Sequence, residues 1–140
     1  MAMPLLILLH VAWGLPQTLA GIVVLAIHRN GTHRTYKGAL VTSWGMHAGL
    51  SLGPFVFVPH DAPSELVVHE CGHTVQSFIL GPLYVPVVVV PSLVWAGVPA
   101  LHRWRRACGV SYYALPTERW ANVLGEWYCK EPSMGQALID

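Results

Sequence analysis

The sequence is short of charge. Asp, Glu, Lys and Arg make up 11% of it, against about a quarter in ordinary soluble domains. Alongside 54% hydrophobic residues, that scarcity excludes intrinsic disorder, which needs low hydrophobicity and high charge. Basic residues are not in surplus either. Eight Lys+Arg stand against seven Asp+Glu, too few to neutralise a phosphate backbone, so no nucleic-acid partner is expected. Cysteine is sparse: Cys71, Cys108 and Cys129 form no Cys-x-x-Cys pair. This argues against a disulfide framework and a zinc ribbon and reads as free thiols in a reducing compartment. Internal repeats, low-complexity tracts and linkers are missing too, and 140 residues fit a single domain, 1–140.

What the chain does have is apolar length. Residues 2–27 contain no Asp, Glu, Lys or Arg, and such a stretch crosses a hydrocarbon core of about 30 Å with some tilt. A signal peptide is the competing reading, disfavoured because no basic region precedes the apolar run. His10, Pro16 and Gln17 stand out inside it. Polar groups at depth face protein rather than lipid, and the plain role of His10 and Gln17 is to join helices by hydrogen bonds. A second uncharged run, 83–101, carries prolines at 86, 91 and 99. It is predicted to be a kinked span, tolerated where neighbouring helices satisfy the freed carbonyls.

Gly81-Pro82 separates that run from a predicted helix over 64–80, opened by Pro63-Ser64-Glu65 with Ser64 as cap. Arg29, Arg34 and Lys37 follow the first span, and Arg103, Arg105 and Arg106 the second. The positive-inside rule then places both ends in the cytoplasm, which requires helix 64–80 to dip into the membrane between them. Residues 36–58 are rich in Val, Phe, Thr, Trp and Gly. They predict two short strands, 38–44 and 54–58, around a Gly-rich turn, a small β-hairpin region. An edge strand within 51–58 would accept an extended peptide by strand addition; the alternative is a hairpin lying at the membrane interface.

The chemistry sits in His69-Glu70-Cys71-Gly72-His73, an HExxH motif. On a helix, His69 and His73 are one turn apart and share a face, so two imidazoles can grip one ion. Glu70 falls about 100° round, where its carboxylate reaches a water rather than the ion. Glu65, Glu70, His69, His73, Gln76 and Ser77 occupy one arc of the helix, and Val67, Val68, Cys71, Val75, Phe78 and Ile79 the other. Cys71 is therefore expected to pack. The plain alternative is two histidines and a glutamate in a structural polar network. A catalytic zinc site needs a third protein ligand. The segment 116–129 predicts a helix capped by Thr117 after Pro116, with Glu118 in its first turn. Glu118, Asn122, Gly125 and Cys129 share a narrow face of mostly small residues that lets this helix, 117–129, approach the first. Glu118 is the expected third ligand; Glu126, His102 and His60 are its rivals, and a simple helix-dipole acid is the plain reading.

HExxH with a downstream Glu118-x-x-Ala121-Asn122 resembles the gluzincin pattern and is similar to the membrane-embedded CAAX-prenyl-protease and heat-shock-protease type of zinc peptidase. A longer string also resembles a group of small uncharacterised bacterial membrane proteins: His69-Glu-Cys-Gly-His-Thr-Val-Gln-Ser77, Gly81-Pro-Leu-Tyr84, Pro91-Ser92 and Pro116-Thr-Glu-Arg-Trp-Ala-Asn122. The resemblance covers roughly 64–125. It implies a zincin-like site with Zn²⁺ on His69, His73 and Glu118 and with Glu70 as the catalytic base. Asn122 departs from it, standing where the large peptidases carry Asp. It can still hold a histidine N–H through its carbonyl but adds no negative charge. The chain is also far shorter than those peptidases and has no room for a large substrate chamber.

The expectation is therefore a mainly α membrane protein: two transmembrane helices (2–27 and 83–101), a membrane-dipping HExxH helix, a short β-hairpin region and a C-terminal ligand-bearing helix. It is expected in the inner membrane as a multi-pass protein with its site facing the cytoplasm, in contact with the lipid bilayer. Its substrate is expected to be a membrane-bound or membrane-proximal peptide or membrane protein. Tyr112, Tyr113, His102 and Arg119 are candidate oxyanion or substrate donors. Two alternatives stay open. One is a metal-binding membrane protein that is not a peptidase, such as a lipid-modifying enzyme or assembly factor. The other is half of a di-iron site, which needs a second Glu-x-x-His that this chain lacks.

Overall fold

The computed structural model describes residues 3–136. It is mainly helical with one small four-stranded sheet. The N-terminal apolar run is two helices, α1 (Met3–Trp13) and α2 (Leu15–Ile27). This corrects the single span over 2–27. Gly14 sits between them at φ −107°, ψ 36°, and Pro16 occupies the first turn of α2. Proline has no N–H to continue a preceding helix, so a fresh one starts there. Gln17 is fully buried and donates from Nε2 to Ser77 Oγ (2.9 Å) and to the Gly81 carbonyl (2.8 Å), the helix-joining role expected of it. The side chain of His10 lies outside the described residues.

Four strands follow: β1 (His33–Tyr36), β2 (Ala39–Trp44), β3 (Leu50–Leu52) and β4 (Phe55–Pro59), in spatial order β1-β2-β4-β3. The two expected strands exist, but not as a hairpin. β2 and β4 pair in parallel, and the hairpins are β1–β2 and β3–β4. Turn chemistry dictates this pairing. Lys37 and Gly38 both have positive φ (50° and 88°), as a two-residue primed turn demands. Gly53, φ 62°, opens the second tight loop. Val56 and Val58 project to one face, where they join Ala39, Val41, Val67, Val68, Cys71 and Cys129 in the core. Phe57 lies on the opposite face with Trp44 stacked on it at 5.2 Å. On that side α2 comes so close at Gly21 that a Cβ there would strike Phe55 and Leu52.

α3 (Ser64–Leu80) has the predicted bounds. Its cap is Pro63, in an extended conformation and without a side-chain cap bond, so Ser64 is the first helical residue and not the cap. The stretch 83–101 is not one kinked span. Gly81–Leu83 forms a 3₁₀ turn, Val85–Val89 a π turn, α4 covers Val90–Gly97, and α5 covers Pro99–Cys108. Val98 is extended (ψ 114°) because the residue before a proline is pushed out of the helical region. The chain bends by 118° between Ser64–Leu83 and Val85–Gly97. Among the described residues no single helix is long and apolar enough to cross a membrane; this bent pair has the length and composition to do so together. α6 (Pro116–Cys129) is capped by Leu115 with Pro116 in its first turn. Thr117 is thus inside the helix rather than its cap, consistent with the preference of proline for the first helical position.

α3 is the central element, packed most extensively on α6. The two approach at Gly72 and Gly125. A Cβ at Gly72 would collide with the Ala121 main chain, and one at Gly125 with the Val68 carbonyl. Cys71 and Cys129 meet in the core beneath this crossing, so Cys71 packs as expected.

Candidate metal centre

Helical spacing brings His69, Glu70 and His73 to one buried group whose ligand atoms lie within 4.8 Å of one another. This group can hold a metal ion. α6 supplies a second carboxylate: Glu118 Oε2 is 2.9 Å from His69 Nε2 and 3.1 Å from His73 Nε2. Ligand atoms around a tetrahedral zinc, with bonds of about 2.0–2.1 Å, stand roughly 3.3 Å apart. Both distances to Glu118 Oε2 are therefore slightly shorter than one ion would set.

The other ring nitrogens fix the tautomers. His69 Nδ1–H donates to Asn122 Oδ1 (2.8 Å) and His73 Nδ1–H to Gln76 Oε1 (2.7 Å). Gln76 in turn donates from Nε2 to the Thr117 carbonyl (2.8 Å), which orients its amide oxygen toward His73. With both Nδ1 protons committed, both Nε2 lone pairs face a carboxylate oxygen. Three acceptors then converge with no donor among them, and only a cation at their meeting point relieves the repulsion. Protons on the imidazoles would do so, and so would one divalent ion. Burial alone would raise the Glu118 carboxyl, but with the rings protonated the charge of His73 and the hydrogen bonds from His69 and His73 hold it well below the usual carboxylate range. Ser92 Oγ donates to the outer oxygen, Oε1, of Glu118.

Glu70, part of the same group, is held from the side of the sheet. Its Oε2 accepts from Ser51 Oγ at 2.7 Å, and Gly49 packs so tightly on the carboxylate that a Cβ there would overlap it. Ser51 belongs to β3, an edge strand of the sheet, and its carbonyl accepts from the Tyr84 hydroxyl at 2.8 Å. β3 is thus one of the two sheet edges, the other being β1, and its Ser51 and Leu52 are buried. β4, which fills most of the stretch 51–58, is interior.

These groups line one cavity of about 480 Å³ together with His47, Leu50, Ser92, His102, Arg105, Tyr112, Tyr113 and others. Tyr113 stands edge-on to His69 with ring centroids 5.0 Å apart. Tyr112 lies beside Glu118; burial, then the charges of Glu118 and Glu70, push its hydroxyl pKa up, so it stays a proton donor. The structure therefore brings together His69, Glu70, His73, Glu118, Asn122, His102, Tyr112 and Tyr113. It leaves out Arg119 and His60, which are exposed and line no part of the cavity. Glu126 is also outside, its Oε1 accepting from Ser133 Oγ at 2.8 Å.

Sequence reasoning assigned none of Gln76, Ser51, Ser92, His47 or Arg105 a role at the site itself. Gln76 carried a signal, three residues after His73 on the same helical face. Ser92 was one of the few polar residues in an apolar run. For the others, contacts far apart in sequence decide their place. Among the described residues there is one such metal-competent group, and no second Glu-x-x-His joins it. Comparison with protein-family models, with curated proteins and with solved structures finds no match.

Proposed function

We propose that the chain is a membrane-embedded zinc-dependent peptidase, with His69, His73 and Glu118 as ligands and Glu70 as general base. The observation that carries this reading is the convergence of two imidazole Nε2 atoms and Glu118 Oε2 on one buried point, with both Nδ1 atoms bonded to amide oxygens. Zinc suits two imidazoles and a carboxylate, and in such a site it supplies Lewis acidity that brings the pKa of a water to about 7. The chain does the rest. Glu70, separate from the ligand trio and facing the cavity, takes the water proton and passes it to the leaving amine. Ser51 orients Glu70 from behind. Tyr112 and Tyr113 are placed to donate to the developing oxyanion, where such donors are worth several kcal/mol. An extended peptide lies along the cavity wall beside residues 47–50, just before the buried part of β3.

The membrane part of the proposal rests on the surface. Leu8, Leu19, Val23 and Ile27 on α1–α2, and Leu83 and Leu93 around α4, are all more than half exposed. Apolar area on that scale marks a surface meant for lipid or for another protein. With α3 and α4 as a re-entrant pair, the bilayer covers these faces, and the basic residues after α2 and within α5 stand on the cytoplasmic side of the inner membrane.

Glu70→Gln is the test. The variant is expected to keep its metal and to lose peptide hydrolysis by a factor of about 10² or more, since a positioned acid–base group contributes that much. Hydrolysis undiminished in Glu70→Gln contradicts the mechanism. Metal retention with no hydrolysis of any membrane peptide by the wild type would favour a metal-binding role without proteolysis.

A further inference from the structure

α5 has two unlike faces. His102 and Arg105 turn inward and line the cavity, whereas Arg103, Trp104, Arg106 and Ala107 are exposed. Arg103 and Arg106 stand three residues apart and are neighbours on the helix surface. Among the described residues neither forms an ion pair. The sequence has no acidic residue between Glu70 and Glu118, and both of those line the cavity, on the inner side of the helix. The helix dipole favours a cation in the last turn, where Arg105 and Arg106 lie, but Arg103 precedes that turn. Two guanidinium groups thus face outward with no counter-charge from the described residues.

Trp104 is 51% exposed beside them. Its ring stands edge-on to that of Trp95 on α4, with centroids 6.3 Å apart, which ties the outer face of α5 to α4. On α4, Val90, Leu93 and Val94 are 49%, 60% and 49% exposed. Bare aliphatic surface therefore runs into an indole and then into guanidinium groups. A lipid leaflet passes in that order from hydrocarbon through its boundary to phosphate, and the pattern suits a helix lying in the interface. A guanidinium fork fits phosphate oxygens. A zwitterionic headgroup brings its own cation to such a pair, whereas an anionic one leaves its phosphate charge to the arginines.

We propose that α5 is an interfacial helix that binds anionic phospholipid, with Trp104 at the hydrocarbon boundary and Arg103 and Arg106 on the headgroup phosphates. His102 and Arg105 wall the cavity from the other side of the same helix, so lipid bound there holds the cavity at headgroup depth. The proposal rests on the membrane reading and not on metal or hydrolysis. To test it, the whole protein is reconstituted into phosphatidylcholine vesicles doped with a brominated lipid, either phosphatidylglycerol or phosphatidylcholine. Quenching of Trp104 is read as the difference between wild type and Trp104→Phe. The wild type is expected to favour brominated phosphatidylglycerol by about ten- to thirtyfold, since each arginine at an anionic surface contributes about fivefold. Combining Arg103→Gln with Arg106→Gln should abolish that preference while brominated phosphatidylcholine still quenches, and the paired Lys substitutions should keep part of it. Equal quenching by the two lipids in the wild type overturns the proposal and leaves the membrane reading standing, as does a preference that survives the double Gln variant. Quenching by neither lipid in vesicle-inserted protein overturns it in favour of a protein partner for this face. A preference lost to inorganic phosphate but not to chloride of equal ionic strength overturns it in favour of a soluble anion. A wild type that does not enter vesicles at all removes the membrane reading and the proposal with it.

Discussion

His69 and His73 are set by amide oxygens, not by carboxylates. Asn122 and Gln76 each accept one Nδ1 proton, so each ring presents Nε2 to the same point without an added negative charge behind it. Partners of this kind typically account for 10–100-fold in metal affinity. Asn122→Ala and Gln76→Ala are each expected to weaken zinc binding by about that factor, measured by competition with a chromophoric chelator, with little change in fold. Asn122→Asp, by contrast, should strengthen binding through the charge it adds. The sequence displayed the imidazole pair and Glu118 openly, because both rest on helical spacing and on residue type. It did not display Ser51, Ser92 or Arg105 as site residues, since their positions depend on β3, α4 and α5 folding back over α3.

At the scale of elements, the crossing of α3 and α6 holds His69, His73 and Glu118 together. Gly72 lies between His69 and His73 in sequence and touches the Ala121 main chain, one residue from Asn122. Gly72→Ala is expected to separate the helices, cost about 1–3 kcal/mol or more as overpacking does, and lower metal occupancy with it. Gly97→Ala, with nothing within 4 Å of its added carbon, serves as the control and should show neither effect; a thermal melt and a metal assay on both variants decide it. The bounds of α3 were legible to the residue, since Pro63 and Gly81-Pro82 punctuate it on both sides. The parallel pairing of β2 and β4 was not, because alternation reveals strands and says nothing of partners. The breaks at Gly14 and Val98 were written in Pro16 and Pro99. Uniform apolarity read as continuity there, although proline governs the backbone whatever the hydropathy around it.

For the molecule as a whole, an interior with a buried polar site is wrapped by helices whose outer faces are apolar. Leu19, Val23 and Ile27 on α2 are 53%, 58% and 71% exposed, and burying such side chains is worth about 1.5–3 kcal/mol each. A bilayer covering these faces predicts that the protein resists carbonate extraction and floats with liposomes in a density gradient. Replacing Leu19, Val23 and Ile27 by Ser should weaken that association without altering metal content. A wild type that remains soluble and monomeric without detergent would argue that the exposed faces serve a protein partner instead.

The central claim is one divalent ion shared by α3 and α6, and counting metal in the purified protein tests it most directly. Elemental analysis of wild type, His69→Ala and Glu118→Ala is predicted to give about one zinc per chain in the first and strongly reduced zinc in the other two, with Glu126→Ala unchanged. Full zinc in Glu118→Ala, two irons per site, or a wild type that takes up no metal from zinc-containing buffer would contradict it.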